Sequence, residues 1–221
     1  MDAGPGTDLG GLGWFLGLWV TMMAAMMLPS ATPMALFFGH VSTARRTAIF
    51  LAGYLVTWTA YGLVAFGLYR AIRAFDVGFL AWEERGPLVA GAAIALAGVY
   101  QLTPLKNVCL GHCRAPLHYV RNRWRDGPLG ALGMGLEQGL FCVGCCSGLM
   151  LILFALGAMS LVWMALIAGL IFAEKVLPFG ARLPAALAVC FVVLGAWVAA
   201  APGSVPGLTE PDEAPATQMH R

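Results

Sequence analysis

The sequence predicts an all-α, polytopic membrane helix bundle of about six transmembrane helices, and three observations carry that expectation. Hydrophobic residues make up 60% of the 221, charged residues only 11%, and the mean hydropathy is +0.79. Ordinary soluble domains carry about 25% charged residues. The apolar residues gather in stretches near the roughly 20 residues that a helix needs to cross hydrocarbon. No alternating barrel pattern occurs, and open sheets are excluded at that depth because their unpaired backbone groups cannot be solvated.

In order, the expected spans are Leu12–Phe38, Thr47–Tyr69, Pro87–Leu105, Gly130–Leu156, Met159–Ala173 and Leu183–Ala201. Before the first, Met1 to Gly10 holds Asp2 and Asp8 but no Lys or Arg. That stretch lacks the basic region of a cleaved signal, so the first span is expected to stay. Pro29 and Pro33 are expected to break its helical ladder, since proline removes a backbone donor. The second and third spans are uninterrupted, the fourth carries a run of thiols, and the fifth is the shortest. Residues 1–201 thus form one transmembrane domain. Residues 202–221, rich in Pro, Thr, Asp and Glu, read as a disordered tail.

Basic residues orient the bundle. With the N-terminus outside, the inner loops hold Arg45, Arg46, Lys106, Arg114, Arg121, Arg123, Arg125, Lys175 and Arg182. The outer side holds Arg70, Arg73, Arg85 and Arg221, with Asp76, Glu83 and Glu84 beside the middle three. This asymmetry matches the positive-inside rule and puts both termini outside a multi-pass inner (cytoplasmic) membrane. A net charge of +2 with no basic, aromatic-interleaved patch excludes nucleic acid as partner. The lipid bilayer and a metal ion are the expected ones.

The chemistry lies in sulfur. In the fourth span Cys142, Cys145 and Cys146 stand at i, i+3 and i+4, on one helix face and within reach of one bound atom. Gln138 and Met150 extend that stripe by a turn each way, and Gly144 and Gly148 let another helix approach. Glu137 is an ionisable group inside the span, a kind that usually faces the bundle interior. In the first span Met22 and Met26 share a face, as do Met23 and Met27. Thioethers suit Cu(I), although methionine also fills irregular gaps between helices. First and fourth spans would bring these groups together near the midplane, where bundle transporters keep their ion sites. A third group, Cys109, His112 and Cys113, offers S,N,S ligands just after the third span, on the reducing inner side. Its spacing is loose for a zinc knuckle. Cys190 in the sixth span reads as a small buried hydrophobe.

Enzyme signatures are missing. None of His40, His112, His118 and His220 lies inside a span, no Gly-x-Ser-x-Gly elbow occurs, and no Gly-rich loop ends in Lys-Ser/Thr. No catalytic residue is therefore expected.

Several motifs carry a family resemblance. They are Trp19-x-x-Met22-x-x-Ala25-Met26-Met27-x-Pro29, Gln101-x-Thr103-Pro104-Leu105-Lys106-x-x-Cys109-x-x-x-Cys113-Arg114-x-Pro116, Gly139-x-x-Cys142-x-Gly144-Cys145-Cys146-x-x-Leu149-Met150, and Gly157-x-Met159-x-x-x-Trp163-Met164 with Glu174-Lys175. Together they resemble a functionally uncharacterised bacterial family of predicted metal-binding integral membrane proteins. An aromatic residue often follows the double Cys of that pattern, where this chain has Ser147. The resemblance implies metal binding without naming the metal. Ligand softness points to Cu(I), with zinc or iron next. The expected function is soft-metal transport or delivery, with a metallochaperone or metalloenzyme as partner. A membrane thiol–disulfide oxidoreductase and a non-catalytic assembly subunit of a membrane metalloenzyme are the rival readings.

Overall fold

The computed structural model describes residues 11–74, 82–156, 161–177 and 182–200. Every element among them is helical: α1 (Leu12–Val41), α2 (Ala44–Ala74), α3 (Trp82–Tyr100), α4 (Pro104–Arg114), α5 (Pro116–Arg123), α6 (Gly127–Leu156), α7 (Leu161–Val176) and α8 (Arg182–Ala200). The expected tail at 202–221, the connection around Asp76 and the start of the fifth expected span at Met159 lie outside the described residues.

Four helices, α1, α2, α6 and α8, are individually long and apolar enough to cross a membrane, five spans if α3 and α4 count as one bent pair. The count of six is thus not reached. The 16 residues of α7 rise about 24 Å, short of the ~30 Å hydrocarbon core.

Two expectations about individual spans change. Proline does not break the first, because α1 runs as one helix of 30 residues with Pro29 and Pro33 inside it. The third ends early, at Tyr100, and turns by 63° into α4. Pro104 disfavours helical geometry in Thr103 before it and lacks the amide that would continue the ladder. Thr103 instead becomes the N-cap of α4: its hydroxyl accepts from the Lys106 amide, with Pro104 in the first turn. The Cys109–Cys113 stretch is consequently part of a helix held against the core.

The hub is α6. Over its most apolar stretch 56% of its residues are buried, twice the 28% of α1, α2 and α8. Helix α6 packs on α2, α3, α4 and α7, α1 packs on α2 and α7, and α3 pairs with α8. Glycines permit these close crossings. A Cβ on Gly135 would collide with the Phe50 carbonyl of α2, and one on Gly91 would stand 2.5 Å from the Gly195 carbonyl of α8. Outward faces stay apolar, with Leu63, Val64, Leu68, Leu96, Val99, Val189 and Val193 exposed.

Candidate metal centre

The i, i+3, i+4 spacing on α6 puts Cys142, Cys145 and Cys146 into the packed interior, each at most 2% exposed. Their Sγ atoms all lie within 4.8 Å of one another, and they form the only such group of three or more His, Cys, Asp or Glu side chains among the described residues. Cys145 and Cys146 are 3.4 Å apart and Cys142 and Cys146 4.0 Å. A soft ion with metal–sulfur bonds of about 2.3 Å holds its sulfurs about 3.8–4.0 Å apart in tetrahedral or trigonal array. Two edges of the cage lie within about half an ångström of that spacing, and the third is within 4.8 Å. All six cysteines are free thiols.

Polar groups from three other helices meet the cluster. The Tyr54 hydroxyl of α2 is 2.9 Å from Cys142 Sγ. From α7, Lys175 Nζ donates to Cys142 Sγ and to Ser30 Oγ of α1, both at 3.0 Å. An ammonium beside sulfur supplies the counter-charge that a buried thiolate needs. From α4, Cys113 Sγ comes within 3.9 Å of Cys145 Sγ and accepts from Gln138 Nε2 at 3.7 Å. Sequence reasoning missed Tyr54, Ser30 and the inward reach of Lys175. A phenol in mid-span and a lysine at a span's edge were the available signals, and each also fits an interfacial anchor.

Next to Lys175, Glu174 is held in a different way. Both its carboxylate oxygens accept from Lys106 Nζ at 2.8 Å, and its carbonyl accepts from Arg114 Nε at 2.6 Å. This pair, 0% and 3% exposed, ties α4 to the end of α7 that presents Lys175.

The remaining predicted ligands divide. Met23, Met26 and Met27 are buried in the same apolar core as the three thiols, with Met22 partly buried against it. Cys109 stays apart from the cage and packs on α6, its Sγ 2.7 Å from where a Cβ on Gly144 would stand. His112 stacks on Phe141 with centroids 3.8 Å apart and meets the edge of Tyr119. Cys109, His112 and Cys113 therefore do not converge as an S,N,S set; only Cys113 reaches the cluster. Glu137 turns the other way: it pairs with Arg123 at 2.6 Å and Arg125 at 3.7 Å and accepts from the Tyr119 hydroxyl at 3.4 Å. Burial, together with this carboxylate, pushes the Tyr119 phenol up, so it remains a donor. Cys190, expected buried, is exposed on α8.

Three buried thiols on one helix form a donor set whose chemistry suits a soft metal. The chain belongs to the copper chaperone family PpoB2, whose model matches residues 16–198. No curated protein and no solved structure matches it. Membership supports the metal-binding part of what the sequence motifs implied.

Proposed function

We propose that this chain is an inner-membrane Cu(I) carrier that holds the ion on Cys142, Cys145 and Cys146 and hands it to a metalloenzyme. The observation that carries the reading is the three-thiol cage, closed to within 4.8 Å and braced by Lys175. Family membership supports copper as the cargo. Thiolate sulfur suits Cu(I), with zinc next, and a donor set of three sulfurs disfavours Mg or Ca. The long apolar helices with apolar outer faces support residence in lipid.

The oxidoreductase reading draws on the shortest thiol pair, the 3.4 Å between Cys145 and Cys146 sulfurs. Adjacent Cα atoms lie about 3.8 Å apart across a trans peptide, inside the 4.4 Å lower bound that disulfides usually take. Metal binding suits that pair better. Copper analysis of detergent-purified protein tests the proposal: wild type should retain Cu(I), Cys142→Ser should retain less, and the Cys142/Cys145/Cys146 triple Ser variant none. Equal copper in the triple variant would refute it.

A further inference from the structure

Buried thiols need a route by which copper reaches them, and one side of the cage offers it. A cavity of about 170 Å³ opens beside the cluster, lined among others by Ser30, Tyr54, Cys113, Gln138 and Lys175. Of the four clustered thiols only Cys113 is partly exposed, while Cys142, Cys145 and Cys146 are buried. Cys113 also lies 3.9 Å from Cys145 Sγ, so one ion could be held by both during a transfer. Gln138 gives a second, independent sign. It is 4% exposed, its Nε2 donates to Cys113 Sγ, and its Oε1 has no partner among the described residues. A buried amide oxygen without a donor is costly, and an occupant carrying an N–H or S–H would satisfy it.

Resting on the Cu(I) reading of the three-thiol cage, we infer that this cavity is the loading port and Cys113 the receiving ligand. The substrate is the Cu(I) complex of a cysteinyl monothiol, whose amide or amine N–H meets Gln138 Oε1. In the first step the Cys113 sulfur bonds Cu(I) as the carrier's sulfur–copper bond breaks, and the Cys113 proton leaves on the carrier thiolate. In the second, Cys145 repeats the exchange and its proton returns to Cys113. Copper stays Cu(I) throughout, so no electron acceptor is required. Cys109, turned onto Gly144, takes no part.

The test is the rate of loading of the detergent-purified full chain from Cu(I)–glutathione, followed by thiolate-to-copper absorption. Final stoichiometry is measured on the same sample. Cys113→Ser and Cys113→Ala should load at least about tenfold more slowly yet reach the wild-type stoichiometry, and Cys109→Ser should load at the wild-type rate. Unchanged rates in both Cys113 variants would overturn the port. Stoichiometry lost in proportion would overturn it too, making Cys113 a resident ligand. N-ethylmaleimide labelling of the wild-type apoprotein needs no variant: Cys113 should react before Cys142, Cys145 and Cys146, and the opposite order would sink the inference. Copper retained by the triple Ser variant would refute the cage itself, a result separate from either of these.

Discussion

Removing one partner of the Lys106–Glu174 pair should be the most damaging polar substitution in the molecule. Both side chains are out of solvent and joined by two 2.8 Å hydrogen bonds. Lys106→Met leaves a buried carboxylate without its cation, and Glu174→Gln leaves a buried ammonium without its anion. Breaking such a pair costs about 3–5 kcal/mol, whereas replacing both members with apolar side chains is often neutral. The double variant Lys106→Met/Glu174→Leu should therefore recover most of what either single variant loses. Because Glu174 adjoins Lys175, whose ammonium reaches Cys142, the single variants should also bind Cu(I) more weakly. Denaturant titration of detergent-purified protein supplies the free energies, with copper affinity measured in parallel. Single variants as mild as the double would refute the reasoning, since the pair would then have water or another partner to fall back on.

Three further outcomes follow from the same contacts. Met23→Leu with Met27→Leu should cost less than about 1.5 kcal/mol in packing while weakening Cu(I) binding about tenfold. Met22→Leu should leave binding near wild type, and a copper titration in which the Met23/Met27 double variant also binds like wild type would make all these methionines packing alone. Gly135→Ala should destabilise the α2–α6 crossing by about 1–3 kcal/mol, because its Cβ would meet the Phe50 carbonyl; an unaltered unfolding midpoint would contradict that packing. For the topology, the five spans counted with the bent α3–α4 pair would carry the chain from an outer N-terminus to an inner C-terminus, not back outside as six would. An impermeant thiol reagent on intact cells should spare reporter cysteines at both Asn122 and Gly203, and labelling at Gly203 would make α7 a sixth crossing.

The long helices were legible because their signal is bulk hydropathy, which needs no partner to be read. Hence α1, α2, α6 and α8 fall within a few residues of the expected spans. The bend at Tyr100 was written as Thr103-Pro104, but a hydrophobic stretch running on to Leu105 masked it. The α6 thiols were legible for the opposite reason: three ligands within one helical turn need no tertiary information. Cys113, Tyr54 and Lys175 come from other helices, and only their packing brings them to the cage. Glu137 shows the limit of the burial rule. It was read correctly as ionisable within an apolar run, but it lies in the first half of α6, within reach of Arg123 and Arg125, which claim it.

Copper K-edge absorption of the Cu(I)-loaded protein tests the central claim most directly, because it reports the atoms bound to the ion. The account predicts a first shell of sulfur alone, with fewer sulfur scatterers in Cys142→Ser and no protein-bound copper signal in the triple Ser variant. Nitrogen or oxygen in the wild-type first shell, or a sulfur shell unchanged when all three thiols are replaced, would contradict it.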